Sequence, residues 1–104
     1  MYLLNSPLLT NYGEYLFEGP LSVEQARALI KPGFVSAVGH EGTAEFLTSL
    51  LNAPVACSRE RVFLNVGDRA LVLTLGNRLD EGAVLDADQL AQQPFELGLV
   101  TRLK

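Results

Sequence analysis

The chain has 104 residues, of which 48% are hydrophobic and 19% charged, and its net charge is −4. This length suits one domain over residues 1–104, and the composition excludes a disordered chain. The acidic balance argues against a broad basic face, the feature with which proteins usually bind long nucleic acids.

The sequence predicts a cytoplasmic protein that does not enter membranes. Its apolar runs fall well short of the roughly 18 residues that suggest a membrane-spanning helix. The N-terminal residues lack the basic region and the continuous apolar stretch of a signal peptide. Cys57 is the only cysteine, so an intrachain disulfide cannot form, which fits a reducing compartment.

Strands and a helix alternate along the first part of the chain. Apolar residues 1–4 predict a short buried strand, and residues 14–18 predict a second, weaker strand. Ser22 and Gln25 have the spacing of a capping box, so we expect a helix to begin at Ser22 and to stop at Pro32.

The middle of the chain predicts a strand, a helix and a hairpin. Residues 34–38 predict a third strand, after which Thr43 is expected to N-cap a helix that ends before Pro54. Residues 61–65 and 69–75 predict two strands of a hairpin, because turn-forming residues separate them.

The last part of the chain completes an α/β pattern. Residues 70–75 are almost all apolar and therefore predict a central strand. Residues 86–93 predict a short helix, and residues 95–102 predict a final strand. The order predicts a single small α/β domain with a mixed β-sheet packed with helices.

One candidate site is the loop over residues 39–43, which contains His40, the only histidine. The loop precedes a predicted helix, whose free N–H groups near Gly39 and Thr43 and partial positive charge would suit a phosphate. Histidine titrates near neutral pH, so His40 could donate a proton to a leaving oxygen. The alternative is a solvent-exposed loop histidine, flanked by glycines that only serve turn geometry.

Two further loops carry polar side chains after predicted strands. Arg78 could bind a phosphate with its planar guanidinium, and Glu81 could accept a proton or orient a ribose hydroxyl. The alternative is a surface ion pair of little energetic value. Asn5, Thr10 and Asn11 could bind a base or ribose, or could cap their own turn. In α/β sheets, ligands tend to bind outside strand ends, where all three loops are expected.

The side chains available for metal binding are few. A zinc site normally needs about three or four His, Cys or carboxylate ligands, and His40, Cys57 and the carboxylates show no ligand spacing. The sequence therefore predicts neither a metal nor another cofactor. Cys57 has no base near it in the sequence and is expected to fill a small apolar space.

The run AVGHEGTAEFLTSLLN and the later run RVFLNVGDRALVLTLGNRLDEG closely resemble the viral ring nucleases. These are small anti-CRISPR proteins of archaeal viruses and phages, with bacterial homologues, that disarm type III CRISPR defence. The most specific elements are the Gly-His before an acidic residue and Thr43, and the Arg-Leu-acidic-Glu-Gly loop. The resemblance covers nearly the whole chain, whereas the loop after Asn5 departs from the archaeal viral pattern.

The resemblance implies a homodimer that binds cyclic tetra-adenylate across its two-fold axis. It implies metal-independent cleavage of that ring to linear products with a 2′,3′-cyclic phosphate, which would switch off type III CRISPR signalling. His40 would be the general acid, Arg78 would hold phosphate, Glu81 would support catalysis and Asn5 would contact the ligand.

Two other functions remain open at this point. The protein could bind and sequester a cyclic oligoadenylate without cleaving it, or could be regulated by that ligand. It could instead be a structural or DNA-associated protein, although the net charge of −4 counts against DNA binding.

Overall fold

The protein was analysed as a computed structural model that describes residues 1–5, 12–59, 62–75 and 94–104. These residues form one mixed sheet whose strands are β1 (Tyr2–Leu4), β2 (Tyr15–Leu21), β3 (Val35–Ala37), β4 (Arg69–Leu75) and β5 (Phe95–Arg102). The helices in this part of the chain are α1 (Val23–Ile30) and α2 (Glu41–Leu51). The prediction of a small α/β domain with a mixed sheet is therefore confirmed.

The strands lie in the order β2-β5-β4-β1-β3. β1 pairs in parallel with both β3 and β4, whereas β5 pairs antiparallel with both β4 and β2. The apolar strand β4 is thus central, as its sequence predicted. The neighbouring strands β4, β1 and β3 all end on the same side, which we call the carboxyl end of the sheet.

The core lies on both faces of this sheet. Leu71 and Leu73 of β4 pack with both helices, whereas Ala70 and Val72 pack on the opposite face. This division follows from the two-residue period of a strand, which sends successive side chains to opposite faces. α1 begins at the predicted capping box. The Gln25 side chain accepts from the Ser22 N–H at 2.8 Å, and the Ser22 hydroxyl accepts from the Gln25 N–H at 3.0 Å.

The predicted hairpin is wrong in its pairing, although its turn is present. Residues 62–65 form no strand, because both sides of β4 are already occupied by β1 and β5. Val62 and Leu64 are buried against the sheet face opposite the helices. The Asp68 N–H donates to the Asn65 carbonyl at 2.9 Å, which closes the turn.

The expected helix over residues 86–93 lies outside the described residues. Neither α1 nor α2 is long and apolar enough to cross a membrane.

Candidate functional site

His40 occupies the junction between β3 and α2, at the carboxyl end of the sheet. It is the N-cap residue of α2, with extended backbone (φ −127°, ψ 129°). Its carbonyl accepts a hydrogen bond from the Ala44 N–H at 2.9 Å, whereas its side chain makes no capping hydrogen bond. The residue is exposed. The imidazole is therefore accessible to a ligand beside the N-terminus of an 11-residue helix.

Thr43 is not the N-cap that the sequence predicted. Extended backbone continues through His40, so the helix begins at Glu41 and Thr43 falls within its first turn. The Thr43 side chain is buried, with 9% of its surface exposed. It helps to anchor the helix start, and any phosphate contact here would use backbone N–H groups of the first turn.

Asn5 follows β1 at the same end of the sheet as His40. β1 pairs directly with β3, with Leu4 opposite Ala37. Asn5 is one residue beyond Leu4 and Gly39 is two residues beyond Ala37, so two of the predicted site residues follow adjacent parallel strands. Asn5 is half-buried, which leaves part of its side chain open to solvent.

Gly39 is held by a segment that the sequence did not connect with the site. The Arg59 Nε donates to the Gly39 carbonyl at 3.1 Å, and the Ser58 N–H donates to the Val38 carbonyl at 2.8 Å. We call residues 56–59 the strap. Sequence analysis could not find this contact, because the residues are 20 positions apart and the acceptor is a backbone carbonyl.

Cys57 lies in the strap and is exposed, so the expectation that it fills an apolar space is wrong. It forms an isolated parallel bridge with Val38, which places its backbone alongside the end of β3. The strap runs outside the sheet at this point, and its side chains consequently face solvent more than the core.

Four predicted site residues, Thr10, Asn11, Arg78 and Glu81, lie outside the described residues. In the sequence, Arg78 and Glu81 come three and six positions after Leu75, the last residue of β4. Among the described residues, no group of three or more His, Cys, Asp or Glu side chains is placed to hold a metal ion.

The fold and site define a small α/β protein whose candidate ligand residues follow neighbouring parallel strands. The chain belongs to the STIV B116-like family, whose model matches residues 1–97. The assignment to the viral ring nucleases that was drawn from the loop motifs is therefore wrong, since the family found is the STIV B116-like one.

The relatives of this chain come from archaeal viruses. Uncharacterized protein 26 of Sulfolobus islandicus filamentous virus is 35% identical over 104 residues, which is 95% of this chain and 88% of that protein. Uncharacterized protein ORF117 of Acidianus two-tailed virus is 36% identical over 111 residues, covering 100% of this chain and 94% of that protein.

A solved structure supports the fold. B116 of Sulfolobus turreted icosahedral virus matches with a TM-score of 0.70 over 97% of both chains. The two sequences are 22% identical, so this likeness establishes the shared fold alone.

Proposed function

We propose that this protein is a metal-independent nuclease that opens the ring of a cyclic oligoadenylate, with cyclic tetra-adenylate as its substrate. The observation that carries the proposal is the position of His40. It is an exposed imidazole at the N-terminus of α2, and Asn5 directly follows the adjacent parallel strand β1. A titratable proton donor thus lies beside backbone groups that favour an anion.

The proposed chemistry needs few protein groups because RNA carries its own nucleophile, the ribose 2′-hydroxyl. The protein must hold that hydroxyl in line with the phosphorus and protonate the departing 5′-oxygen. His40 would donate this proton, while N–H groups in the first turn of α2 would stabilise charge on the phosphate. The 2′-hydroxyl gives up its proton to solvent as its oxygen bonds to phosphorus. The bond to the 5′-oxygen breaks at the same time, which leaves a 2′,3′-cyclic phosphate.

Three further residues belong to the proposed site. Arg78 would hold a phosphate oxygen, since a guanidinium offers several N–H donors in a fixed plane. Glu81 would orient the reacting ribose, and Asn5 would contact a base or ribose. Gly39, Thr43, Thr10 and Asn11 complete the proposed ligand-binding set.

We propose that the active form is a homodimer. A ring of identical nucleotides has rotational symmetry, and a two-fold pair of chains would present the same site to opposite phosphates. The viral origin of the relatives supports a role in which a host signal is destroyed, which would switch off type III CRISPR signalling in the cytoplasm.

The test is incubation of the pure protein with cyclic tetra-adenylate, with and without EDTA, followed by chromatography and mass spectrometry. We expect full cleavage in EDTA and a first product with the mass of the intact ring, because cyclic-phosphate formation takes up no water. A ring whose 2′-hydroxyls are replaced by hydrogen is the matched control and should stay intact.

Two results would change the assignment. Loss of cleavage in EDTA, or a first product heavier by one water, would contradict attack by the ribose hydroxyl. Tight binding of the ring without any cleavage would make the protein a sequestering protein, which is the alternative function.

A further inference from the structure

We propose that the strap, residues 56–59, is a positioning element that fixes the backbone beneath His40, with Ser36 and Arg59 as its anchors. The inference rests on the proposed function, since the position of His40 matters to a reaction only if His40 takes part in it. Neither anchor needs to touch the substrate to play this role.

The need for such an element follows from the position of His40. β3 has three residues and lies at the edge of the sheet, so among the described strands it pairs with β1 alone. Short strands at a sheet edge open more readily than central ones. The His40 side chain makes no capping hydrogen bond, so the point from which the imidazole projects is set by the backbone of residues 38–40.

The strap supports this backbone from the side opposite β1. The Ser36 hydroxyl donates to the Ala56 carbonyl at 2.6 Å and the Ser58 N–H donates to the Val38 carbonyl at 2.8 Å. The Arg59 Nε then donates to the Gly39 carbonyl at 3.1 Å. The three hydrogen bonds follow the same order along β3 and the strap, and the last of them reaches Gly39, the residue that precedes His40.

Val55, the residue that precedes the strap, ties it to the helix that His40 caps. The Thr48 hydroxyl donates to the Ala44 carbonyl at 2.8 Å and accepts from the Val55 N–H at 3.0 Å. The Ala44 N–H in turn donates to the His40 carbonyl at 2.9 Å. Strand, strap and helix therefore form a closed circuit of hydrogen bonds around His40, and loosening one side should loosen the others.

The anchors differ in what they can contribute. Ser36 is part of β3, and its hydroxyl both donates to the strap at Ala56 and accepts from the Val38 N–H at 3.4 Å, so its role is to join the two segments and hold the end of β3. Arg59 is exposed and uses one guanidinium N–H on Gly39. The experiment must therefore separate positioning by Arg59 from direct contact with a phosphate.

The test compares Ser36→Ala and Arg59→Ala with two controls, Ser49→Ala and Arg69→Ala. Both control residues are exposed and lie outside the circuit, on α2 and at the start of β4. Two measurements are made: steady-state kinetics, which give kcat and KM for cyclic tetra-adenylate, and hydrogen exchange in the free protein. Exchange is followed at the amides of Ala44, Val55 and Ser58, which donate hydrogen bonds of the circuit.

We expect both anchor variants to lower kcat about 10- to 100-fold with KM little changed, because small misplacements of a reacting group have effects of this size. Amide exchange at Ala44, Val55 and Ser58 should accelerate, because the hydrogen bonds that protect them loosen. Exchange at Leu71 and Val72 in the central strand should stay as in the parent protein. The two controls should match the parent protein in both measurements.

Several results would overturn the inference. Unchanged exchange at Ala44, Val55 and Ser58 in both anchor variants would do so, as would equal acceleration in β4, which indicates general destabilisation. A change confined to KM in Arg59→Ala would make that residue a ligand contact. If the parent protein does not cleave the ring, the proposed function fails, and the exchange measurement alone decides whether the strap fixes this backbone.

Discussion

At the scale of single residues, His40 is distinctive because it is the one imidazole in the sequence. It is the only histidine, it is exposed, and it lies where a strand passes into a helix. A general acid must lie within hydrogen-bond reach of the leaving oxygen. A ligand phosphate at the start of α2 would satisfy this condition for the imidazole.

We predict that His40→Ala retains affinity for cyclic tetra-adenylate and loses most of the cleavage. Groups of this kind contribute roughly 100- to 10,000-fold to a rate, so the loss should fall in that range. Single-turnover cleavage gives the rate, and calorimetric titration gives the dissociation constant. An equal loss of rate and affinity would instead identify His40 as a binding residue.

The sequence was sufficient to single out His40 but not its surroundings. A lone imidazole between a strand and a helix is visible as a pattern of nearby residues. The hydrogen bond from Arg59 to the Gly39 carbonyl is not visible in this way, because every residue has a backbone carbonyl and none is marked in the sequence as an acceptor. Contacts to backbone carbonyls across 20 positions depend on the tertiary fold and have no local signature.

At the scale of secondary-structure elements, β2 and β5 pack closely where an aromatic ring covers a glycine. A Cβ added at Gly98 would lie 3.0 Å from the Phe17 Cζ and 3.3 Å from the Glu18 carbonyl oxygen. Contacts this short force the neighbours to move. Phe17 is half-exposed, so the ring has room to shift at some loss of packing.

We therefore predict that Gly98→Ala lowers the free energy of unfolding by about 1–3 kcal/mol, the usual cost of overpacking. Urea unfolding measures this difference. The matched background is Phe17→Ala, in which the added methyl group has more space and the cost of Gly98→Ala should shrink. An equal cost in both backgrounds would assign the strain to the Glu18 backbone.

Elements with a local signal were predictable, whereas the partner of a strand was not. The Ser22 capping box defined the start of α1, and the apolar run of β4 indicated its central place. Residues 62–65 alternate between buried and exposed, as a strand would, yet they cover a sheet face. Residues 62–65 do not join the sheet because β4 already pairs with β1 and β5. β1 lies about 65 residues before β4 in the sequence, so no local pattern reveals that the two strands are partners.

At the scale of the whole molecule, the described residues form a sheet with the helices on one face and residues 62–65 on the other. The carboxyl end of the sheet carries His40 and Asn5. In open α/β sheets this is the end at which ligands usually bind. One copy of the chain offers a single sheet with one such end. A ring of four nucleotides would be contacted on one side only by that copy, so a second copy is needed to contact the other side.

We predict that the protein sediments as a dimer at micromolar concentration and binds one ring of cyclic tetra-adenylate per two chains. The reason is that a two-fold pair of sites matches the symmetry of the ring. Analytical ultracentrifugation gives the mass, and titration gives the stoichiometry. A protein that is monomeric throughout this range and cleaves the ring at the full rate would contradict the prediction.

The position of β1 between β3 and β4 also determines the stage of synthesis at which the sheet can form. Tyr2 pairs with Val35 on one side and with Ala70 on the other, so β1 leaves the ribosome well before its partner β4. Contacts so distant in sequence slow the search for the native topology, because a long chain segment must be closed before they form. During synthesis, the apolar β1 stays without its central neighbour until β4 emerges, and the nascent chain is exposed to aggregation for that interval.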